Sequence, residues 1–478
     1  MLKKTTKLMV LLLITAGLLI GCSSGEEENT NPDATTLSFW NRLPELTTHF
    51  ESFIASFEEE HPDINIEMQT LGASGNQQYQ TAIKNNELPD IFVTANVTSL
   101  KNLVDQELLH NLNDVVTPEV KEQFYPGVWS ENLTTIGEDI YQLPLNSGKS
   151  AVLMYYNKDV LSEYGVSEGQ IPTTWDELRE VGKDIYEQSG GGTYGLIMGA
   201  EATWLSDMTI NQMATNITPE VHPSIDVARR INYKTGQPDF VNDGSTQTIE
   251  YLKQLMDENV LSPSSIEYNE PTAIANFAAG KSAFYFDGNW AGSVLMNEEE
   301  GPGFENWGVA PMPTEDGGTY YNDMAAKEGL MVSNNTEHWE EVQTFLNYFI
   351  ENGYRDVIVA SGAHEPPVDI EVTDPPFEQY NKINELSNQL SVATPNIYKQ
   401  NNSTIGFIQD YQGGLSYSAG SILAGYMQGE VTDPVAELEE AQQQAMEVFN
   451  ENLNKYEDVS ESDFVFDDWV PFEPYTTE

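Results

Sequence analysis

Apolar segments with the periods of strands and of helices alternate along this chain, and that alternation limits the folds it can adopt. Strand patterns at 37–40, 64–68 and 91–93 are separated by helix patterns at 50–57 and 77–86. In the first helix, apolar residues recur at the i, i+3, i+4, i+7 spacing of one buried face. Strands that alternate with helices predict an α/β fold built on a mostly parallel sheet.

The alternation continues through the rest of the chain. An apolar run at 151–156 predicts a buried strand, and Thr174 with Glu177 forms a capping box where a helix begins. Further strands are predicted at 283–286 and at 307–313, where prolines end the strand. Helices are also predicted at 247–258, 270–279 and 342–350, and a last long helix begins at Asp433.

The N-terminal segment has the pattern of an export signal. Lysines precede an uncharged stretch at 8–21, which is shorter than the ~20 residues of a membrane-spanning helix. The stretch ends in Leu19-Ile20-Gly21-Cys22, which resembles the lipobox of bacterial lipoproteins. That resemblance implies a signal peptide at 1–21 and a lipid on Cys22; the alternative is a signal peptide with a chance cysteine. Polar residues at 22–36 predict a flexible tether.

The charge of the chain limits its partners. Its formal net charge is −55, which repels phosphate backbones, so we expect no nucleic acid partner. Aromatic residues make up 10% of the chain, which excludes a disordered acidic polymer. The acidic residues are spread along the sequence, and we interpret them as an adaptation to salty or alkaline surroundings. Cys22 is the only cysteine, so the chain forms no internal disulfide.

Six segments, taken in order, carry a family resemblance. They are LSFWNR (37–42), FIASFEEEHPDINIE (53–67), YQLPLNSGKSAVLMYYNKDVL (141–161), IPTTWDELREVGKDI (171–185), FAAGKSAFYFDGNW (277–290) and WGVAPMPTEDGG (307–318). Together they resemble the extracellular solute-binding proteins of bacterial ABC importers, in the carbohydrate-binding group (family 1) that includes maltose-binding-protein-like lipoproteins. The resemblance covers about residues 37–365 and is loose beyond them.

The resemblance implies a periplasmic-binding-protein-like fold of two α/β lobes. Each lobe would hold a mostly parallel sheet flanked by helices, and hinge strands would join the lobes beside a ligand cleft. Lobe one is expected at 37–147 plus 313–362, and lobe two at 148–312 plus 363–478. The expected hinge crossings lie near 145–149, 310–313 and 361–366.

The resemblance also implies candidate ligand-binding residues in the first half of the chain. Trp40, Asn41 and Arg42 end the first strand, where the family has a loop that faces the cleft; Trp40 could equally be a core residue. Asn96 and Ser150 stand close to positions where maltose-type binders have carboxylates. Both departures argue against a maltose-like ligand.

The second half supplies the remaining candidates. Trp204, with Glu201, is expected to stack on a sugar ring in lobe two. Asp287 and Trp290 follow a strand, and Gly288 between them allows close backbone approach. The last two candidates are Glu328 and Tyr411.

These features predict a receptor. We expect a lipid-anchored, extracytoplasmic, monomeric protein that captures a carbohydrate, in particular an oligosaccharide, and delivers it to an ABC permease. The chain has no Gly-x-Ser-x-Gly, Walker A or His-Glu-x-x-His motif, so we expect no catalytic residues, no cofactor and no metal. The alternatives are an exported lipoprotein glycosidase, or the same fold with a polyamine, peptide or metal as ligand.

Overall fold

The computed structural model describes residues 34–71, 75–93, 97–201, 203–224, 230–297 and 301–475. Cys22, the predicted signal peptide and most of the predicted tether lie outside these ranges. Thr35 and Thr36 were assigned to the tether but belong to the first strand, where they pair with Ile64 and Asn65. Their β-branched side chains suit a pleated strand, so the tether ends earlier than predicted.

Strands and helices alternate as the sequence predicts. In the described ranges the strands are β1 (Thr35–Asn41), β2 (Ile64–Thr70), β3 (Ile91–Val93), β4 (Thr135–Ile136), β5 (Asp139–Ile140), β6 (Leu143–Pro144), β7 (Val152–Asn157), β8 (Tyr194–Met198), β9 (Ile231–Asn232), β10 (Gln237–Pro238), β11 (Ser282–Gly288), β12 (Trp307–Pro311), β13 (Asn322–Asp323), β14 (Gly329–Val332) and β15 (Ser391–Val392).

The helices surround two main sheets. In the described ranges they are α1 (Thr47–Glu60), α2 (Gly75–Asn85), α3 (Leu100–Asp105), α4 (Pro118–Lys121), α5 (Lys158–Glu163), α6 (Trp175–Gln188), α7 (Thr203–Ala214), α8 (Asp243–Asp257), α9 (Glu270–Ala278), α10 (Ala291–Met296), α11 (Trp339–Tyr348), α12 (Tyr380–Leu390), α13 (Ile397–Gln400), α14 (Thr404–Gly414), α15 (Ala419–Gln428) and α16 (Pro434–Lys455). None of them has the length and apolar character needed to cross a membrane.

Several predicted helix boundaries are confirmed. Thr174 and Glu177 form the capping box of α6, and Asp433 caps α16 with Pro434 at the first helical position. Several elements were not predicted, among them α3, α7, α12 and α14. The predicted helix at 342–350 also extends further, because α11 continues directly into a π-helix at Phe349–Val359. Its apolar residues pack against α1, which is why the helix extends past the predicted end.

The first sheet has the order β2-β1-β3-β14-β6. In this sheet β1 is parallel to β2 and β3, whereas β14 is antiparallel to β3 and β6. Its apolar core includes Phe39 of β1, Phe50 of α1 and Phe345 of α11, all fully buried. The ring of Phe39 meets that of Phe50 edge to face at 5.1 Å, so the helices are fixed against the sheet.

The second sheet has the order β12-β7-β11-β8. Only the β11–β8 pair is parallel, because β7 is antiparallel to both β11 and β12. The prediction of a mostly parallel sheet is therefore wrong for this lobe. The reversed strand in this sheet is β7, and the corresponding reversed strand in the first sheet is β14. Each of them is antiparallel to both of its neighbours.

The two sheets have separate apolar cores, and the cores suggest where the chain passes between lobes. Leu145 and Ala326 belong to the core of the first sheet, whereas Tyr320 and Tyr321 belong to the core of the second. The β13 strand between them pairs with β15 of the second lobe. We propose that the second hinge crossing lies at 324–328, beyond the predicted 310–313.

Candidate ligand-binding site

A cavity of about 680 Å³ lies where strand ends of the two sheets meet. Arg42 follows β1 and Asn289 follows β11, whereas Ser150 precedes β7 and Glu328 precedes β14, and all four line the cavity. The lining residues are Arg42, Leu43, Glu45, Asn76, Asn146, Gly148, Lys149, Ser150, Trp204, Met208, Pro223, Ser224, Glu270, Asn289, Trp290, Val294, Asn322, Asp323, Ala325, Lys327, Glu328, His364 and Glu365. The cavity is therefore a cleft between the lobes.

Two indoles form an apolar wall of this cleft. The rings of Trp204 and Trp290 are 6.0 Å apart and tilted by 35°, and Trp204 remains 43% exposed. Trp290 Nε1 donates a hydrogen bond to Glu270 Oε1 at 2.7 Å, which fixes the orientation of the ring. A Cβ on Gly288 would collide with the Trp290 ring, so only glycine leaves room for this arrangement.

Glu270 stands next to this wall in an environment that disfavours charge. Burial raises the pKa of Glu270; the hydrogen bond from Trp290 offsets part of this effect, and the negative charge of Glu45 adds to it. Glu45 belongs to the first lobe and Glu270 to the second. Two carboxylates thus face each other across the cleft.

Glu45 has a basic partner of its own. His364 Nε2 lies 3.3 Å from Glu45 Oε1. Burial opposes ionisation of both groups. Their hydrogen bond and mutual attraction outweigh burial, with a contribution from Glu328 on the histidine, so the pKa of Glu45 is lowered and that of His364 is raised. The pair links the segment at 361–366, where a hinge crossing is predicted, to the helical turn at Pro44–Leu46.

A second polar cluster lies at the crossings themselves. Lys149 Nζ lies 3.3 Å from Glu365 Oε2, and Ser147 Oγ donates to the same oxygen at 2.7 Å. A Cβ on Gly148 would collide with the backbone of Ala326, and the Gly148 carbonyl oxygen accepts a hydrogen bond from Ala325 at 3.1 Å. These contacts place the segments at 324–328 and 361–366 within hydrogen-bond distance of the segment at 145–149, and all three are proposed hinge crossings.

Comparison with known proteins decides the family. The sequence profile of the bacterial extracellular solute-binding proteins matches residues 43–356 of the chain. The chain is a bacterial extracellular solute-binding protein. This solute-binding protein is similar to the multiple sugar-binding protein of Streptococcus mutans, with 22% identity over 70% of this chain and 76% of the relative. It is also similar to the arabinooligosaccharide-binding protein of Halalkalibacterium halodurans, with 24% identity over 66% of this chain and 67% of the relative.

Solved structures agree on the fold. The maltose-bound T. maritima MalE3 covers 87% of this solute-binding protein and 99% of its own chain, with a TM-score of 0.65 and 18% identity. MalE from Xanthomonas citri covers 89% and 100%, with a TM-score of 0.61 and 20% identity. The predicted family and the two-lobe α/β fold are confirmed.

Five of the predicted ligand-binding residues meet in the cleft. They are Arg42, Ser150, Trp204, Trp290 and Glu328. Two of them also accept hydrogen bonds within the protein. Asn322 Nδ2 donates to the carbonyl oxygen of Ser150 at 3.0 Å and to its Oγ at 3.1 Å, and Asn146 donates to the carboxylate of Glu328 at 3.0 Å.

Three other predicted residues are buried away from the cavity. Asn41 is fully buried, and its side chain bonds both the nitrogen and the carbonyl oxygen of Leu43 at 2.9 Å, so it shapes the loop after β1. Asp287 is fully buried and bonded to Tyr285, and burial, followed by the charge of Glu270, holds its pKa well above the usual range. Tyr411 is fully buried against Phe449.

The remaining predicted residues lie outside the cavity lining or outside the described ranges. Trp40 packs edge to face on Tyr79 at 5.3 Å, which supports the core interpretation. Glu201 is exposed, and its backbone nitrogen bonds the carbonyl oxygen of Tyr268 at 3.1 Å. Asn96 and Cys22 are not among the described residues.

Sequence reasoning missed several cavity residues. Lys149 and Asn289 lie beside predicted residues in the segments that carry the resemblance, so position could have suggested them. Glu45 and His364 are 319 positions apart, and no local pattern relates them. His364 and Glu365 fall in the segment predicted as the third hinge crossing but were not among the predicted ligand-binding residues, and both line the cleft. Within the described ranges, no group of three His, Cys, Asp or Glu residues could hold a metal ion.

A smaller cavity of about 400 Å³ shares one lining residue, Lys327, with the cleft. Apolar side chains from α3 of the first lobe and from α14 of the second line it, including Leu100, Leu103, Ile405 and Ile408. This second cavity is therefore also formed by both lobes.

Proposed function

We propose that this solute-binding protein captures a carbohydrate, in particular an oligosaccharide, and delivers it to the permease of an ABC importer. The observation that carries the proposal is the indole wall of Trp204 and Trp290 in a cleft whose other lining is largely polar. Sugar rings have apolar C–H faces that stack on aromatic rings, and hydroxyl rims that need donors and acceptors. The sugar-binding names of its relatives support the same ligand class.

The cleft also suggests how binding is signalled. A ligand in the cavity would touch Arg42 and Glu45 from one lobe and Trp290 and Glu270 from the other. Contacts to both lobes favour the closed arrangement over an open one, and this difference in binding free energy drives hinge closure. The closed protein is then the form that the permease would recognise.

A thermal-unfolding screen tests this function. The protein is heated with mono- and oligosaccharides, and with polyamines, peptides and metal ions as controls, at low and high salt. A ligand at about 100 times its Kd adds about 2.7 kcal/mol of stability, which raises the midpoint measurably. Trp290→Ala should reduce the shift by more than half, and Trp290→Phe should reduce it less. A shift with a control ligand and with no sugar would contradict the proposal.

Glycoside hydrolysis is a second candidate, and one observation favours it. Glu270 and Glu45 have pKa values displaced in opposite directions, as an acid and a carboxylate nucleophile require. We propose binding without turnover, because Glu45 is already engaged by His364. Chromatography of the bound sugar after prolonged incubation distinguishes the two candidates. Intact sugar supports a receptor, and cleavage that is lost in Glu270→Gln supports an enzyme.

We further propose that the protein works outside the cytoplasm as a monomer held to the membrane by lipid on Cys22. The family is extracellular, and a receptor tethered by a lipid stays near its permease. In cells, Cys22→Ala should move the protein from the membrane fraction to the medium. Retention of the variant in the membrane fraction would contradict the anchor. Sedimentation of the purified protein tests the oligomeric state.

A further inference from the structure

One side of the cleft offers hydrogen-bond acceptors that the protein itself does not satisfy. Asn289 lines the cavity and is only 3% exposed, yet its Oδ1 has no hydrogen-bond partner among the described residues. Its Nδ2 lies 3.5 Å from the carbonyl oxygen of Lys149, which assigns the other amide atom as the free acceptor. A ligand in the cleft could supply the donor that this buried acceptor lacks among the described residues.

The carboxylate of Glu270 is a second acceptor at the same place. It receives one hydrogen bond, from the neighbouring Trp290 indole. Glu45 and Glu365 have basic partners in His364 and Lys149, but no basic nitrogen of the described residues lies within ion-pair distance of Glu270. When the cleft closes, this carboxylate loses water, and a positive charge from the ligand would compensate.

The indole wall fits the same kind of ligand. The faces of Trp204 and Trp290 attract cations as well as apolar sugar faces, and Trp290 is bonded directly to Glu270. An ammonium group has three N–H donors and no acceptor, so it matches acceptors on several sides, whereas a neutral hydroxyl supplies a single donor. The wall, the carboxylate and the amide oxygen together are complementary to a sugar that carries a positive charge.

We propose that the ligand is an amino sugar or an oligosaccharide that contains one, and that Glu270 and Asn289 hold its ammonium group. The proposal rests on the carbohydrate-binding function proposed above and defines the class of sugar. Glu270 and Asn289 would then determine specificity, while the indoles supply the stacking that all sugars share.

Calorimetric titration of the full chain tests the proposal. The probes are glucosamine, N-acetylglucosamine and glucose, each as a monosaccharide and as a β-1,4-linked dimer, together with galactosamine, galactose and the best binder from the thermal screen. We expect an amine-bearing probe to bind about tenfold or more tightly than its hydroxyl and N-acetyl counterparts, because charge-assisted hydrogen bonds are about twice as strong as neutral ones. The advantage should fall as salt is added.

Two variants and a control separate specificity from folding. Glu270→Gln and Asn289→Leu should reduce the preference for the amine to about twofold or less while the unfolding midpoint is retained, since neither change removes the indole stacking. Glu267→Gln, an exposed carboxylate three positions before Glu270, should leave the preference unchanged.

The outcomes distinguish this proposal from the function on which it rests. If any neutral sugar binds more tightly than every amine-bearing probe, or if Glu270→Gln weakens all members of a matched set equally, the amino-sugar proposal is overturned while carbohydrate binding stands. If spermidine binds and no sugar does, both fail. A preference for the amine that is lost in Glu270→Gln and kept in Glu267→Gln supports both.

Discussion

The ammonium group of Lys149 lies 3.3 Å from the carboxylate of Glu365, and both residues line the cleft in segments where the chain is predicted to cross between the lobes. The Lys149 ammonium also lies 4.3 Å from the centre of the Tyr125 ring, in the first lobe. Asn388 of α12, in the second lobe, donates to the other oxygen of Glu365 at 2.8 Å. The ion pair therefore joins two predicted crossings, and its members contact residues assigned to both lobes.

Glu365→Gln should destabilise the protein. The variant keeps the length of the side chain but loses the charge and one acceptor oxygen for Ser147, Asn388 and Lys149. We expect the free energy of unfolding in urea to fall by about 1–3 kcal/mol, as for hydrogen bonds to charged groups that are largely shielded from water. Asn388→Ala should reproduce part of the loss.

The exposed pair Lys382–Glu385 is the matched control. Its side chains are 48% and 53% exposed, against 17% and 11% for Lys149 and Glu365. Glu385→Gln should leave the free energy of unfolding almost unchanged, because water screens an exposed pair. Equal effects of the two substitutions would mean that the crossing cluster adds nothing to stability.

The Glu45–His364 pair predicts a dependence of stability on pH. The pKa of His364 is raised in the folded protein, so its contribution is complete below the ordinary histidine pKa of 6.5 and is lost as pH rises through the raised value. The pKa of Glu45 is lowered, so its contribution is complete above the ordinary glutamate pKa of 4.5 and is lost as pH falls through the lowered value. The pair should stabilise most between these two ordinary values.

His364→Gln tests that window. The difference in unfolding free energy between wild type and variant should reach about 1–3 kcal/mol near the middle of the window and shrink toward alkaline pH, as measured by urea titration at several pH values. Glu45→Gln should give the same pH profile, and the double variant should be less destabilised than the sum of the two. A difference that does not vary with pH would exclude the ion pair as its source.

The sequence predicts where several strands end, and some of the cleft residues lie at these strand ends. The family resemblance implied Trp290, Ser150 and Arg42, each of which follows or precedes a recognisable strand, and all three line the cleft. Asn41 stands in the same kind of position yet turns inward to bond Leu43. A polar residue at a strand end can face the cleft or bind the adjacent loop, and only the folded backbone decides between them.

Glu45 and Glu270 illustrate what local patterns do not contain. Glu45 lies in a single helical turn, Pro44–Leu46, and Glu270 is the first residue of α9, where an acidic residue is ordinary because it offsets the helix dipole. Their roles in the cleft arise from the approach of two lobes. Tyr411 shows the opposite case, a residue that was predicted to bind ligand and does not line the cleft. Its ring lies in the apolar core, where α14 packs on α16.

Tyr411→Ala should therefore affect stability without affecting ligand binding. Truncation of a fully buried aromatic ring leaves a cavity and costs about 3–5 kcal/mol. Denaturant unfolding should report this loss, whereas the Kd of the folded fraction for its sugar should stay within about twofold of the wild-type value. A large loss of affinity at unchanged stability would mean that Tyr411 contributes to ligand binding.

Trp204→Ala and Trp290→Ala should lower affinity with less effect on stability. Both indoles line the cavity, and only Trp290 is anchored by a hydrogen bond, from its Nε1 to Glu270. We expect a loss of about 2 kcal/mol or more in binding free energy for Trp290→Ala, which is about 30-fold in Kd. Trp204→Phe should retain most of the affinity lost in Trp204→Ala, because the phenyl face still stacks. If all three variants bind the sugar as tightly as the wild type, the indole wall is not part of the binding site.

Gly288→Ala should weaken binding through the position of Trp290. The added methyl group would meet the outer edge of the Trp290 ring, and that ring can swing away more cheaply than the backbone of β11 can move. The displaced indole would lose its hydrogen bond to Glu270 and its place in the wall. We expect about a tenfold rise in Kd, equivalent to about 1.4 kcal/mol, in calorimetric titration. Gly169→Ala is the control, because a Cβ there meets nothing within 4 Å. If the two variants bind equally well, the ring position does not determine affinity.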